Sequence, residues 1–210
     1  MSFNARPAET HADAPGVDQS MLSRLLSALM DRIECGMFAC DAEGRLFHAN
    51  LAARRALDAG GMLTLHDGCV RGVQEMREPW SAALQDVVVR LRSRLLCSDE
   101  SDERLMVALV PVPAESVGVP AALALMGRRS VCSPLGLEML SSTHGLTFAE
   151  SRVFRALVGN SSAREIAESH GVAVATVRTQ IQAVRDKLGV RSIDALLLRA
   201  AEVPPVTARV

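Results

Sequence analysis

An α+β N-terminal domain built on an antiparallel sheet, followed by an all-α C-terminal domain, is the architecture this sequence predicts. Three observations carry it. Short apolar runs bounded by Gly, Pro and acidic turn residues recur between residues 36 and 126. Two S/T-x-x-E capping signatures, Thr147 to Glu150 and Ser162 to Glu165, follow close together. From Val174 to Leu188 the apolar residues Val177, Ile181, Val184 and Leu188 return at helical spacing. A chain of 210 residues accommodates two such domains, each with a core of its own.

Residues 1–17 mix Pro, Ala, Asp, Glu and Gly with no apolar stretch behind a basic start, which predicts a loose tail rather than a secretory leader. Between Asp18 and Glu34, Leu22, Leu25, Leu26, Leu29 and Ile33 recur at steps of three and four, one face of an amphipathic helix. That face suits either a cover for its own domain or a helix pair in a dimer. Two strand-like runs, 36–41 and 45–50, flank the turn residues Ala42, Glu43 and Gly44 and predict a hairpin. Asn50 is placed to cap an Ala-rich helix over 51–57, which Gly60 and Gly61 stop before the apolar run 62–65. A longer helix is expected over 80–94, with Leu84, Val87, Val88, Leu91 and Leu95 on one side and Pro79 in its first turn. A polar, acidic loop at 98–103 and strands at 105–112 and 121–126 complete the domain.

In the last third, Thr147 and Glu150 open a helix expected to run from Phe148 to about Val158, ended by Gly159 and Asn160. Ser162 and Glu165 open a short second helix. Gly171 can take a left-handed backbone, so the chain can turn sharply into a third helix from about Val174 to Leu188. This is a helix-turn-helix order. While Val177, Ile181, Val184 and Leu188 pack, Ala175, Arg178, Thr179, Gln182 and Arg185 fall on another, polar-edged face. Such side chains bond to base edges and phosphates, and a major groove admits one helix.

The boundaries that follow are a tail at 1–17, a helix at 18–35, the α+β domain at 36–130, a linker at 131–145, the helical domain at 146–201 and a tail at 202–210. With 49% hydrophobic and 22% charged residues, and no apolar run long enough to span a bilayer, the chain is expected to be a cytoplasmic protein without membrane partners. The net charge of −1 hides an asymmetry: residues 141–200 hold eight Arg and Lys against five Asp and Glu. Five cysteines without a CxxC pair argue against a disulfide framework and a zinc site, so no metal and no cofactor is expected. Gly-rich phosphate loops, HExxH and GxSxG are all missing, which sets enzymes aside.

The run from Gly36 to Asn50, the short helix after it and the two closing strands resemble a PAS domain over roughly 90 residues. The resemblance implies a sheet that can hold a small ligand, haem or flavin and a tendency to pair as dimers. His48 and His66 are the candidate haem ligands, and Cys40, Cys69 and Cys97 the candidate flavin-reactive thiols; the bland reading is hydrogen-bonded histidines and buried thiols.

From Leu146 to about Ala201, the Leu-Thr-x-x-Glu run, Arg-Glu-Ile-Ala at 164–167, Thr-Val-Arg at 176–178 and Lys-Leu-Gly-Val at 187–190 resemble the LuxR-type C-terminal domain. That resemblance implies four helices, the third reading the major groove of double-stranded DNA and the fourth, about 193–201, forming a homodimer through Leu196, Leu197 and Leu198. It places Arg178, Thr179 and Gln182 toward bases, Thr176 and the amides at the helix starts on phosphates, and Arg185 and Arg191 on the backbone. The chain departs from the family at Ala173, Val174 and Ala175, where a cap and polar residues are usual. Phosphoreceiver and quorum-signal front ends do not fit, since Lys187 is the single Lys and the chain has one Trp and no Tyr. The expected function is a DNA-binding transcription regulator that senses a signal or dimerises through its N-terminal domain, with RNA polymerase as a further partner. The alternative is a regulator that keeps the fold and binds a protein instead of DNA.

Overall fold

The computed structural model describes residues 18–98, 105–128 and 130–207. The expected tail at 1–17, residues 99–103 of the expected loop and residues 208–210 lie outside them. Helix α1 (Gln19–Met30) starts at Asp18, whose carboxylate accepts from the Ser20 amide. It buries no residue, and Met21, Leu22, Leu25, Leu26 and Leu29 all remain exposed.

Strands β1 (Met37–Cys40) and β2 (Leu46–Ala49) pair antiparallel across a tight turn. Gly44 in that turn has φ +83°, and a Cβ there would lie 2.5 Å from the Val70 carbonyl oxygen, so only glycine fits. Asn50 caps α2 (Leu51–Asp58). A second hairpin, β3 (Leu63–His66) and β4 (Cys69–Gly72), turns through Asp67 and Gly68, both at positive φ, the two-residue geometry that matches strand twist. There follow α3 (Arg77–Val88), β5 (Arg94–Ser98), β6 (Leu105–Val112), the single turn α4 (Ala114–Val117) and β7 (Ala121–Met126). The main sheet runs β2-β1-β7-β6-β5 with every neighbour antiparallel, as the sequence predicts.

Alternation along the strands turns Phe38, Cys40, Val107, Leu109, Ala122 and Ala124 inward against Leu57, Trp80, Leu84 and Val87 of the helices. The small Ala122 and Ala124 leave room for the two large rings, Phe38 and Trp80, whose centroids lie 6.0 Å apart. Trp80 donates its indole N–H to the Val70 carbonyl at 2.9 Å, so burying it leaves no donor unmade.

The sequence predicts a helix over 80–94, but α3 ends at Val88 and Leu91 sits at φ +55°. Asp86 explains the stop: it pairs with Arg90 and Arg94, and its carbonyl accepts from the Arg92 amide at 3.0 Å. Residues 94–98 then gain a full ladder on the edge of β6, with Leu96 against the core and Leu95 on the open outer face.

Beyond the sheet, Ser133 and Pro134 open α5 (Pro134–Thr143) inside what the sequence reads as linker. Helices α6 (Phe148–Val158), α7 (Ala163–His170), α8 (Val174–Leu188) and α9 (Ile193–Ala201) complete the chain's second half. After α9 the backbone returns to the segment between α1 and β1. Glu34 donates its amide to the Pro205 carbonyl at 2.8 Å, Thr207 donates to the Arg32 carbonyl at 2.9 Å, and Ile33 and Val206 form an antiparallel bridge. Among the described residues, no helix is long and apolar enough to cross a membrane.

Candidate nucleic-acid interface

Both capping boxes form. Thr147 Oγ1 accepts from the Glu150 amide while Glu150 Oε2 accepts from the Thr147 amide at 2.7 Å, and Ser162 and Glu165 repeat the arrangement. Helix α7 ends at Gly171, whose φ of +67° lets Val172 donate back to the Ala167 carbonyl and swings the chain into α8.

Helix α8 is held on two sides. Val177 and Ile181 pack with Val153, Leu157 and Ile166, while Val184 and Leu188 pack with Phe154, Leu137 and Leu196. Its last turn is pinned by Lys187, which donates to Glu150 Oε2 at 2.6 Å and to the Gly145 carbonyl at 3.0 Å. The single lysine therefore ties the third helix to the cap of the first. Lys187 and the Thr147 amide together hold the Glu150 carboxyl below its usual range.

A folded carboxyl that ionises more readily than the unfolded one stabilises fully above the unfolded value, near 4.5. That contribution is lost as pH falls through the lower folded value. Lys187→Met is therefore expected to cost about 1–2 kcal/mol at neutral pH, the range of a part-exposed charged hydrogen bond. In urea unfolding the gap to wild type should narrow markedly near pH 3; an unchanged gap would show that the ion pair contributes nothing.

With its inner face buried, α8 presents Ala175, Thr176, Arg178, Thr179 and Gln182 to solvent, with Arg185 half-buried. Thr179 donates its hydroxyl to the Ala175 carbonyl at 3.1 Å. Gln182 Nε2 donates to Asp186 Oδ1 at 2.7 Å, and Arg185 Nη1 donates to Gln182 Oε1 at 3.2 Å. Arg178 has no ion pair among the described residues, and Arg191 lies exposed just beyond Gly189, where α8 ends. Ala173 brings no side-chain acceptor to the start of α8, so its first amides are left to solvent or an anion. Leu196 is fully buried in the core of its own chain, Leu197 is half-buried on that core, and Leu198 is 64% exposed.

Sequence reasoning missed the contacts of Gln182 and Lys187. The Gln182–Asp186 bond was open to detection, because residues four apart share a helix face. The Lys187–Glu150 pair spans 37 residues and left no local signal.

In the N-terminal half, a cleft of about 670 Å³ lies between the β1–β2 turn, the β3–β4 hairpin and α3, with Arg71, Arg77 and His66 on its walls and Val70, Trp80 and Leu84 at its base. His66 faces Asp67 at 3.0 Å, and His48 is half-buried on β2. Cys40 is fully buried, and desolvation pushes its thiol up to about 12, which makes it unreactive; Cys69 is half-buried and Cys97 exposed. Among the described residues, no three His, Cys, Asp or Glu side chains gather as a metal site.

No family model and no curated protein matches the chain. Solved structures are similar to it. VqmA bound to DPO is 16% identical, with 89% of this chain and 91% of that one covered at a TM-score of 0.36. A Vibrio cholerae VqmA dimer, described among LuxR-type receptors, is 16% identical over 84% and 85% at 0.37. The Rhodobacter sphaeroides LOV protein is 16% identical over 82% and 96% at 0.36.

Proposed function

We propose that the chain is a cytoplasmic, non-enzymatic transcription regulator of LuxR type, which binds double-stranded DNA as a homodimer through α8. The observation that carries this reading is the division of α8. One face is buried on two cores and pinned by Lys187, while the other offers Arg178, Thr179 and Gln182 from a rigid element. Pairing is supported by the apolar face of α1 and by Leu95, Met106 and Val110 on the outer sheet, which a second copy would cover. The PAS-like half supplies the input, its cleft being of a size that suits a small ligand.

Selection from a random duplex pool at two salt concentrations tests the reading. Wild type is expected to enrich a palindrome, and Arg178→Ala to relax one position in each half-site by about 1–3 kcal/mol. A folded protein that enriches nothing at low salt would favour a protein partner instead. The apolar start of α8 at Ala173, Val174 and Ala175, and Phe148, 80% exposed beside Arg152, suit that second reading.

A further inference from the structure

We infer that Asp186 is a positioning residue that sets the orientation of the Gln182 amide, and through it a preference for adenine in each half-site. This rests on the DNA-binding reading above. A free glutamine amide can turn over and exchange its donor and acceptor ends. Gln182 is held from both ends: its Nε2 faces the Asp186 carboxylate at 2.7 Å, and its Oε1 faces the Arg185 guanidinium at 3.2 Å. Turning it over would set oxygen against carboxylate and N–H against guanidinium; both contacts favour one orientation, and the shorter one, to the Asp186 carboxylate, carries most of that preference. The two bonds leave one N–H and one oxygen lone pair unused. An adenine edge in the major groove offers the matching acceptor and donor, N7 and the N6 amino group, whereas guanine offers two acceptors, N7 and O6, and would set O6 against the amide oxygen.

Asp186 lies a full turn beyond Gln182 on the exposed side of α8, and its side chain is engaged by Gln182. An acidic residue on a face meant for phosphates opposes general affinity. Its place here is explained by selectivity, since ordering Gln182 in advance removes a cost that binding would otherwise carry.

Duplex selection with wild type, Gln182→Ala, Asp186→Ala and Asp186→Asn, each confirmed as folded by circular dichroism, decides the matter. At the position that Gln182→Ala relaxes, wild type should prefer adenine, and Asp186→Ala should lose about tenfold of that preference. Asp186→Asn, which keeps an acceptor for Gln182 Nε2 but no charge, should retain most of it, while both Asp186 variants bind random duplex more tightly than wild type. Wild-type adenine preference in Asp186→Ala, equal loss in the two Asp186 variants, or a Gln182→Ala variant that relaxes no position would each overturn the inference while leaving DNA binding intact. Failure of wild type to enrich any site would instead overturn the reading beneath it.

Discussion

Replacing Asn50 with Ala is expected to destabilise the N-terminal half by about 3–4 kcal/mol, as much as an emptied core position, although it removes only a carboxamide. Asn50 is fully buried. Its Oδ1 accepts from the Met37 and Ala53 amides, both at 2.9 Å, so it caps α2 and anchors β1 at once. Its Nδ2 donates to the Met30 carbonyl at 3.1 Å and the Cys35 carbonyl at 2.8 Å, with Ile33 at 3.4 Å. An alanine leaves the buried Ala53 amide and the part-buried Met37 amide and Cys35 carbonyl without this partner, while the Met30 carbonyl keeps the Ile33 amide. Because Arg32 to Glu34 is also where residues 205–207 return, the variant should loosen the C-terminal end as well. Urea unfolding followed by circular dichroism measures the cost, and hydrogen exchange at Glu34 and Thr207 reports the loosening. Asn50→Asp, which turns a second oxygen toward the same carbonyls, should be at least as damaging. A loss below about 1 kcal/mol in Asn50→Ala would mean that water replaces the side chain there.

The three consecutive leucines of α9 should separate sharply on truncation. Leu196→Ala is expected to cost about 2–5 kcal/mol, because Leu196 is fully enclosed with Phe154, Val184 and Leu188, and its loss leaves a cavity. Leu198→Ala should change monomer stability by no more than about 0.5 kcal/mol, since that side chain stands in solvent. Thermal melts of the two variants read the difference directly. On the homodimer reading, Leu198→Ala should raise the dimer dissociation constant measured by analytical ultracentrifugation, an effect its unchanged melt would separate from unfolding. Equal stability loss in both variants would overturn the placement of α9.

What was legible in the residues follows from the range of the forces involved. A capping box closes over three residues, so Thr147 and Glu150, and Ser162 and Glu165, announce their helices without knowledge of the rest of the fold. The apolar stripe of α8 is equally local, and its complement, with Arg178, Thr179 and Gln182, identified the candidate reading face. The β3–β4 hairpin carried a turn signal in Asp67 and Gly68 as well, although only the apolar run 62–65 was read there. The Ser133–Pro134 start of α5 was likewise written in the sequence, though short and unaccompanied by a strong stripe.

The sequence by itself thus determined the four helices between 148 and 201, the β1–β2 hairpin and the capped helix α2, and which face of α8 is polar. Tertiary structure decided the rest. Residues 94–98 carry apolar side chains at spacings that serve a helix or a strand, and only the open edge of β6 selected the strand. Among Leu196, Leu197 and Leu198, composition cannot say which one turns inward. Successive residues on a helix point about 100° apart, and the position of α5, α6 and α8 chose Leu196. Lys187 with Glu150, and residues 205–207 with Arg32 to Glu34, are meetings of distant segments. Their partners become neighbours only after hydrophobic burial has brought the elements together, so no local pattern records them.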